Sequence, residues 1–245
     1  MKLLQLNVWG GRLERPLIKL IKDCNPDILC LQEAIDIKGG KSAMFAATEE
    51  IQASIGAEHI FFSPVFSLGY MKRKADFGNC IISKFPIIDQ HMMFTGKEYI
   101  ADFDWLEHDP NMRNFQHATI KAKNGKPVHV LNHHGHHIDQ HKNGDTETMR
   151  QCKLIADYIN RLSGPVILAG DFNLAPDSES LGQINERLIN LSAKAGLDTT
   201  RTSLTHKMEV CDYIFVNDKI RVDRFEVLDE VASDHKALVL NFDLV

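Results

Sequence analysis

The chain has 245 residues, of which 44% are hydrophobic and 25% are charged, and its formal net charge is -5. These values are typical of a globular protein that buries a sizeable core, and they argue against a disordered or fibrous chain. The slightly acidic balance also argues against a general nucleic-acid-binding surface, unless basic residues are concentrated on one face.

The cysteines are scattered through apolar segments without any CxxC pair, at Cys24, Cys30, Cys80, Cys152 and Cys211. This odd-numbered set predicts buried free thiols in a reducing compartment rather than a disulfide framework or a zinc knuckle. The opening MKLLQLNVWG is typical of a strand and not of a secretory signal. No apolar run reaches the ~18 residues that a membrane-spanning helix needs, so we expect a cytoplasmic protein.

Apolar strands and amphipathic helices alternate along most of the chain. Hydrophobic periodicity predicts strands at 3–8, 28–32, 59–62, 79–83, 116–122, 128–132, 166–169, 213–216, 222–227 and 237–242. Helices are predicted at 13–21, at 42–56 with Ser42 as the N-cap and Met44 on the apolar face, at 147–162 and at 181–195. The acidic and aromatic stretch 92–114 stays unclassified, and it is a candidate substrate-side loop.

Hairpin signals and outer helices together favour two stacked mixed sheets flanked by helices over one doubly wound parallel sheet. The Asn124-Gly125 pair between two predicted strands is typical of a hairpin turn. No linker rich in Gly, Pro or Ser divides the chain. We therefore expect one α/β (α+β) domain over 1–245, and a monomer by default.

Polar side chains stand where several predicted strands begin or end. The motifs that carry them are LNVWG, LQE, HVLNHH, GDFN, CDYIFV and SDH, with the residues Asn7, Glu33, His133, His134, Asp171, Asn173, Asp212, Asp234 and His235. Polar groups at the ends of buried strands are held rigidly and can converge on one rim. Hard oxygen ligands combined with histidine are what a divalent-metal phosphoesterase requires.

The motifs LNVWG, LQE, GDFN, DY and SDH, in this order, resemble those of the endonuclease/exonuclease/phosphatase superfamily. The resemblance extends over nearly the whole chain, and GNCIISKFP at Gly78 to Pro86 is similar to a further strand of that family. It implies a four-layer α/β/β/α sandwich and a hydrolase that cleaves a phosphate ester. It also implies Mg²⁺ or Mn²⁺ as the cofactor, with water attacking the phosphorus in line.

The resemblance also implies metal and substrate roles. Asn7 and Glu33 would lie on the metal side of the site, with Glu33 as the principal ligand, and Asp234 would lie beside the metal or at a second metal position. The candidate substrate-binding residues are Asn79, Arg113 and Arg150. Arg150 stands at the start of the helix after the histidine-rich loop, where family members often carry an arginine.

The catalytic roles follow from the same resemblance. Asp171 and Asn173 would position the attacking water and the phosphate, and Asp212 would orient His235. His134 would contact the phosphate or assist the leaving group. Two general bases stay open at this point, because both a carboxylate beside a metal-bound water and an imidazole backed by a carboxylate can accept the proton.

The segment HVLNHHGHHIDQH holds six of the twelve histidines and raises the alternative of a zinc hydrolase. His133 and His137 have the spacing of an HExxH helix, but no Glu follows His133 and Gly135 interrupts the run. Alternation along a strand also sends His133 and His134 to opposite faces. A non-catalytic binding module is a further alternative, which the presence of every site residue disfavours.

The substrate class is the least determined feature. The run Lys72-Arg73-Lys74 follows an aromatic residue and is compatible with binding a phosphate backbone. The abasic-site endonuclease pattern and the inositol phosphatase pattern fit poorly, because His134 replaces a typical Tyr and Leu174-Ala175-Pro176 follows GDFN. We expect a phosphodiester in nucleic acid, cleaved by a nuclease or an end-processing enzyme, with a lipid or inositol phosphate as the alternative.

Overall fold

Two six-stranded mixed sheets form the centre of the protein, whose computed structural model describes residues 1–37, 45–70 and 73–245. The strands of the first sheet are β1 Lys2–Asn7, β2 Ile28–Ile37, β3 His59–Tyr70, β4 Arg73–Ser83, β11 Ile220–Val227 and β12 Leu238–Leu244. Those of the second are β5 Ile87–Phe94, β6 Asn114–Lys121, β7 Pro127–His134, β8 Val166–Asp171, β9 Ile189–Asn190 and β10 Asp212–Val216. Their spatial orders are β11-β12-β1-β2-β4-β3 and β5-β6-β7-β8-β10-β9.

Helices cover the outer faces of both sheets, and they are α1 Glu14–Cys24, α2 Thr48–Ser54, α3 Thr146–Ile159, α4 Glu179–Asn185 and α5 Leu191–Lys194. Apolar residues of α1 and α2, such as Leu17 and Ile51, pack on β1 and β2. Residues of α3 and α4, such as Ile155 and Leu181, pack on the second sheet. A third cluster fills the space between the sheets. The four-layer sandwich predicted from the sequence is confirmed.

One predicted helix is wrong, one strand was not predicted, and one predicted helix lies partly outside the described residues. Strand β5 was not predicted, because it is an edge strand whose Asp89, Gln90 and His91 are exposed, so it has no apolar run. The helix predicted at 181–195 is instead two short helices separated by β9, where the Asn190 side chain accepts from the Ala193 amide and begins α5. Helix α2 begins at Thr48, and the proposed cap at Ser42 and its neighbour Met44 lie outside the described residues.

Two parallel strand pairs determine where the polar side chains gather. Strands β1 and β2 run in parallel with Asn7 opposite Gln32, and β7 and β8 run in parallel with His134 opposite Asp171. Strand β10 is antiparallel to β8 and begins with Asp212 opposite Asp171. The carboxyl ends of β1, β7 and β8, the middle of β2 and the amino end of β10 therefore meet at one rim of the sandwich.

A chain of buried amides crosses the space between the sheets beneath this rim. Gln5 Nε2 donates to Gln32 Oε1 at 2.9 Å, and Gln32 Nε2 donates to Asn132 Oδ1 at 2.7 Å. Asn132 Nδ2 donates to Gln116 Oε1 at 3.0 Å, and Gln116 Nε2 donates to Ser63 Oγ at 2.9 Å. These groups are fully or almost fully buried, so each hydrogen bond offsets the cost of removing an amide from water.

The cysteines are free thiols, as the sequence predicts. All five cysteines are free thiols, and four of them are buried. Within the described ranges, no helix combines the length and the apolar character needed to cross a membrane.

Candidate active site

The predicted catalytic residues surround one cavity of about 450 Å³ at the rim where the strands meet. Its lining includes Glu33, His134, Asp171, Asn173, Asp234 and His235. Asn7 and Asp212 lie directly behind them and contact them by hydrogen bonds. The sequence motifs, although more than 200 residues apart at their extremes, therefore meet in a single site.

Glu33 enters the cavity because β2 is irregular at that point. The pairing of β2 with β4 shifts register between Leu31 and Ala34, and Glu33 has a φ of 52°. A positive φ is unfavourable for a residue with a side chain, and such strain persists where the surrounding structure enforces it, most often at functional sites. Asn173, in the turn after β8, has a φ of 55°. Two proposed site residues therefore occupy strained backbone positions.

The Asn7 amide bridges two carboxylates. Its Nδ2 donates to Glu33 Oε1 at 3.0 Å and to Asp171 Oδ2 at 3.1 Å, while its Oδ1 accepts from the Trp9 amide at 3.0 Å. These three contacts fix which end of the amide faces the carboxylates. Asn7 consequently holds Glu33 and Asp171 close together in spite of their like charges.

His235 and Asp212 form a buried pair whose orientation is determined by hydrogen bonds. His235 Nδ1 lies 2.8 Å from Asp212 Oδ2, and Asp212 also accepts from Thr200 Oγ1 at 2.6 Å and from Gln5 Nε2 at 3.1 Å. A carboxylate acceptor at Nδ1 places the proton there and leaves Nε2 facing Asp171, 3.6 Å from its Oδ2. Burial lowers the pKa of His235, but Asp212 and Asp171 outweigh burial and raise it well above the ordinary value.

Asp171 is the central carboxylate, because both cavity histidines and Asn7 face it. His134 Nε2 lies 3.8 Å from Asp171 Oδ2, and the Asn173 amide donates to Asp171 Oδ1 at 2.9 Å. Burial raises the pKa of Asp171, yet His235 and His134 outweigh burial and hold it well below its usual range. Burial, and next the charge of Arg113, lower the pKa of His134 well below its ordinary value. At neutral pH the site thus holds an ionised Asp171 beside a neutral His134.

The Asn173 side chain is oriented by a buried lysine. Lys142 Nζ donates to Asn173 Oδ1 at 3.1 Å, and Asn173 Nδ2 donates to the Gly135 carbonyl at 3.2 Å. A lysine can only donate, so the amide oxygen of Asn173 must face Lys142 and its NH₂ group is directed to the other side. Gly135 is required here, since a Cβ at this position would stand 2.3 Å from the Phe172 carbonyl oxygen.

The donor set of this rim fits a divalent cation. Burial, and then the neighbouring Asp234 and Asp171, raise the pKa of Glu33 against the lowering effect of Asn7. Carboxylates gathered in this way repel one another, and a hard cation with oxygen ligands removes that repulsion. Asp171, Cys211 and His235 also place ligand atoms within 4.8 Å of one another. Burial raises the pKa of the Cys211 thiol to about 11, so it is protonated at neutral pH and fits a hard cation less well than the carboxylates do.

The three predicted substrate-binding residues have different positions. Asn79 and Arg113 line the cavity. Arg113 is buried, and its guanidinium donates to the carbonyls of Gly135, Pro110 and Met112, which ties the loop before β6 to the turn after β7. Arg150 does not line the cavity, because it pairs with Glu147 on α3 and contacts the Thr95 carbonyl.

The histidine-rich segment separates into residues with different surroundings. His134 lines the cavity, whereas the neighbouring His133 is buried between Phe115 and Phe172 on the other face of β7. His137 also borders the cavity, where its Nε2 lies 3.2 Å from Lys207 Nζ. His141 is exposed in the following loop. The segment does not converge on a single metal-binding point.

Sequence reasoning missed Lys142, Arg201 and the apolar side of the cavity. We call Glu33, His134, Asp171, Asp234 and His235 the polar wall, and we call Phe66, Leu68, Phe77, Trp105 and Met112 the apolar wall. Phe66 stacks on Phe77 at 4.9 Å between ring centroids, and Trp105 meets Phe66 edge-on at 5.8 Å. The acidic and aromatic composition of 92–114 was the one signal for this wall, since that stretch contributes Trp105 and Met112.

A four-layer sandwich with carboxylates, amides and histidines gathered at its strand ends defines a metal-dependent phosphoesterase. The chain belongs to the Endonuclease/Exonuclease/phosphatase family, whose model matches residues 4–235. Members of this family are metal-dependent hydrolases that act on phosphate esters, and the protein is an enzyme of this class.

Solved structures share the fold over the whole chain at low sequence identity. The endonuclease/exonuclease/phosphatase from Bacteroides vulgatus is 18% identical with a TM-score of 0.76, over 100% of this chain and 98% of that one. A mannosyl-6-phosphatase from Bacteroides thetaiotaomicron VPI-5482 is 16% identical with a TM-score of 0.71, over 100% of both chains. The human Nocturnin catalytic domain with bound sulfate is 16% identical with a TM-score of 0.69, over 100% and 94%. No match is found among curated proteins.

Proposed function

We propose that the protein hydrolyses a phosphodiester at the end of a nucleic acid, by in-line attack of water with Mg²⁺ or Mn²⁺ bound. The observation that carries the proposal is the position of Asp171, a buried and ionised carboxylate between His134, His235 and the Asn7 amide. This arrangement combines the Asp171 carboxylate, the hydrogen-bonded His235–Asp212 pair and an oxygen-rich rim in one cavity.

Glu33 is the proposed principal metal ligand, with Asn7 and Asp234 beside it. When bound, a divalent cation there supplies positive charge to the phosphate oxygens and to the leaving group. Asn7 already directs Glu33 and Asp171 toward the same space, so its proposed role is also to align the carboxylates.

Asp171 and the His235–Asp212 pair share the proposed handling of the water proton. Nε2 of His235 faces Asp171, and the Asp212 and Asp171 carboxylates stabilise the positive charge of the ring, so Asp171 is the proposed acceptor of the proton and the His235–Asp212 pair is proposed to orient Asp171. One hydrogen of the Asn173 NH₂ group is donated to the Gly135 carbonyl, and the second is proposed to hold a phosphate oxygen. His134, neutral at physiological pH, is proposed to contact the phosphate or assist the leaving group.

The apolar wall supports a nucleic-acid end over the interior of a duplex. Aromatic rings stack on unpaired bases with little dependence on sequence. A duplex needs a broad basic surface, while this chain has a net charge of -5. In the basic run predicted to contact nucleic acid, Lys74 pairs with Asp102 at 2.9 Å, and Lys72 lies outside the described residues.

The test is a hydrolysis panel with Mg²⁺, with Mn²⁺ and after chelation. The substrates are single- and double-stranded DNA, RNA, phosphotyrosyl DNA, sphingomyelin, inositol phosphates and sugar phosphates. We expect metal-dependent cleavage of the nucleic-acid ends, abolished in Asp171→Asn and His235→Ala and retained in the control His141→Ala, whose ring is exposed. Turnover that survives chelation, or that survives both site substitutions, would contradict the proposal.

Two other substrate classes have support of their own. The apolar wall also suits the hydrocarbon part of a lipid phosphate, which sphingomyelin in the panel tests. A phosphomonoester is favoured by the fold shared with the Bacteroides mannosyl-6-phosphatase, and the sugar phosphates test that class.

The five free thiols support our proposal of a reducing, cytoplasmic location, and we propose a monomer.

A further inference from the structure

Arg201 is held against the catalytic histidine by its own backbone. It lies in the segment before β10, where Arg201 forms an isolated antiparallel bridge with His235. The Thr202 amide donates to the Asp234 carbonyl at 3.0 Å, and the Lys236 amide donates to the Thr200 carbonyl at 2.8 Å. The arginine is therefore fixed opposite His235 as firmly as a residue in a regular strand.

The Arg201 side chain is buried, lines the cavity and keeps one donor unused. The residue is 6% exposed and lines the cavity, and one terminal nitrogen contacts Nε2 of His235. Its Nε is buried and has no hydrogen-bond partner within residues 1–37, 45–70 and 73–245. A guanidinium has five N–H donors, and a buried donor without an acceptor costs free energy. The guanidinium beside the cavity therefore has hydrogen-bonding capacity that the described residues do not use.

A role as counter-ion to the surrounding carboxylates does not explain the position of Arg201. An arginine that neutralises a carboxylate normally forms two parallel hydrogen bonds with it. The contact with Asp234 is a single one of 3.7 Å, which is too long for a hydrogen bond, and the closer neighbour is a ring nitrogen. The guanidinium thus stands beside Nε2 of His235, and no carboxylate of the described residues occupies its fork.

We propose that Arg201 is a catalytic residue that binds the non-bridging oxygens of the scissile phosphate. The planar fork of a guanidinium matches two phosphate oxygens. Its location beside His235 Nε2 places the positive charge at the phosphorus under attack, where it stabilises the charge on the phosphate oxygens in the transition state. The catalytic role of Arg201 rests on the proposed function, whereas the binding of a phosphate anion by Arg201 is independent of it.

The experiment measures the affinity for inorganic phosphate by calorimetry and the kinetics on the best substrate, both with Mg²⁺ present. The variants are Arg201→Gln, Arg201→Lys and Arg201→Ala, the last also with added guanidinium. The matched control is Arg187→Gln, because Arg187 also has a buried Nε without a partner among the described residues, while its guanidinium donates to the Gln183 carbonyl and to Glu186 at the end of α4 and does not line the cavity.

We expect Arg201→Gln to lower both phosphate affinity and kcat by about 10²-fold, with a smaller loss in Arg201→Lys. We also expect partial recovery of Arg201→Ala by guanidinium, which a purely structural role does not produce. Arg187→Gln should match the wild type in both measurements.

The outcomes separate this inference from the proposed function. Hydrolysis that persists in a folded Arg201→Gln, with unchanged phosphate affinity, overturns the inference and leaves the proposed function standing. A protein that cleaves no ester but binds phosphate through Arg201 supports the anion site and overturns the proposed function. Equal losses in Arg201→Gln and Arg187→Gln, together with lowered melting temperatures and no rescue by guanidinium, also overturn the inference.

Discussion

The two walls of the cavity are built in different ways. Residues of the polar wall arise from strand ends and adjoining turns, and hydrogen bonds or ion pairs connect them through Asn7, Asp171 and Asp212. The apolar wall consists of side chains that contact one another by ring stacking, and its Trp105 is 61% exposed. The polar wall is rigid and suits the reaction that all family members share. The apolar wall has surface free for a ligand and suits the selection of a substrate.

The largest expected effect is loss of the polar wall's central charge. Asp171→Asn should lower kcat by about 10³-fold or more with little change in KM, because the neutral amide neither accepts a proton nor attracts a cation. Steady-state kinetics on the best substrate measures this, with circular dichroism as the folding control. A kcat within about tenfold of the wild type would show that Asp171 is not central.

A smaller effect should distinguish two histidines of the same segment. His134→Ala should lower turnover by about 10²-fold, because the ring faces Asp171 in the cavity, whereas His141→Ala should match the wild type. Both variants are measured under the same metal conditions. Equal losses of turnover in the two variants would favour a metal site formed by the histidine-rich segment.

Substitution in the apolar wall should change substrate binding instead of the reaction. Trp105→Ala should raise KM by about tenfold for a substrate with an aromatic base and leave kcat within about twofold. A substrate of the same charge without a ring should be unaffected, and the exposed side chain makes a stability loss small. The distinction between the walls would be wrong if Trp105→Ala lowered kcat on both substrates.

The smallest effect concerns stability at low pH, outside both walls. Burial, followed by the charge of His129, lowers the pKa of His117 from 6.5 to about 4. The unfolded chain therefore binds more protons between these values, so stability from His117 is complete above about pH 6.5 and is lost as the pH falls toward 4.

The free energy of unfolding should fall by about 1–3 kcal/mol over that interval through His117 alone. Urea titrations at several pH values measure it, and His117→Gln should show a shallower pH dependence by up to one proton. If the free energy of unfolding had the same pH dependence in the variant and in the wild type, the assignment to His117 would be wrong. Any loss of activity in that pH range would then be attributed to the polar wall.

The sequence predicts those parts of the structure that a local pattern encodes. Buried strands with polar residues at their ends predict both the sandwich and the residues of the polar wall. Strand β5 was missed because edge strands such as this one are defined by pairing and not by an apolar run. Arg201 was missed because only the long-range bridge to His235 brings it to the site. The apolar wall combines residues from β3, β4 and an irregular loop, and no short motif joins them.

The amide chain between the sheets has a consequence for how activity arises. Glu33 comes from the first sheet and Asp171 from the second, so neither sheet alone contains the site. If one sheet slid along the other, the hydrogen bonds that cross between the sheets, from Gln5 to Asp212, from Gln32 to Asn132 and from Gln116 to Ser63, would break and leave several amides unsatisfied. The sheets therefore dock in a single alignment, and during folding enzymatic activity reports the completion of that docking and not the earlier formation of strands and helices.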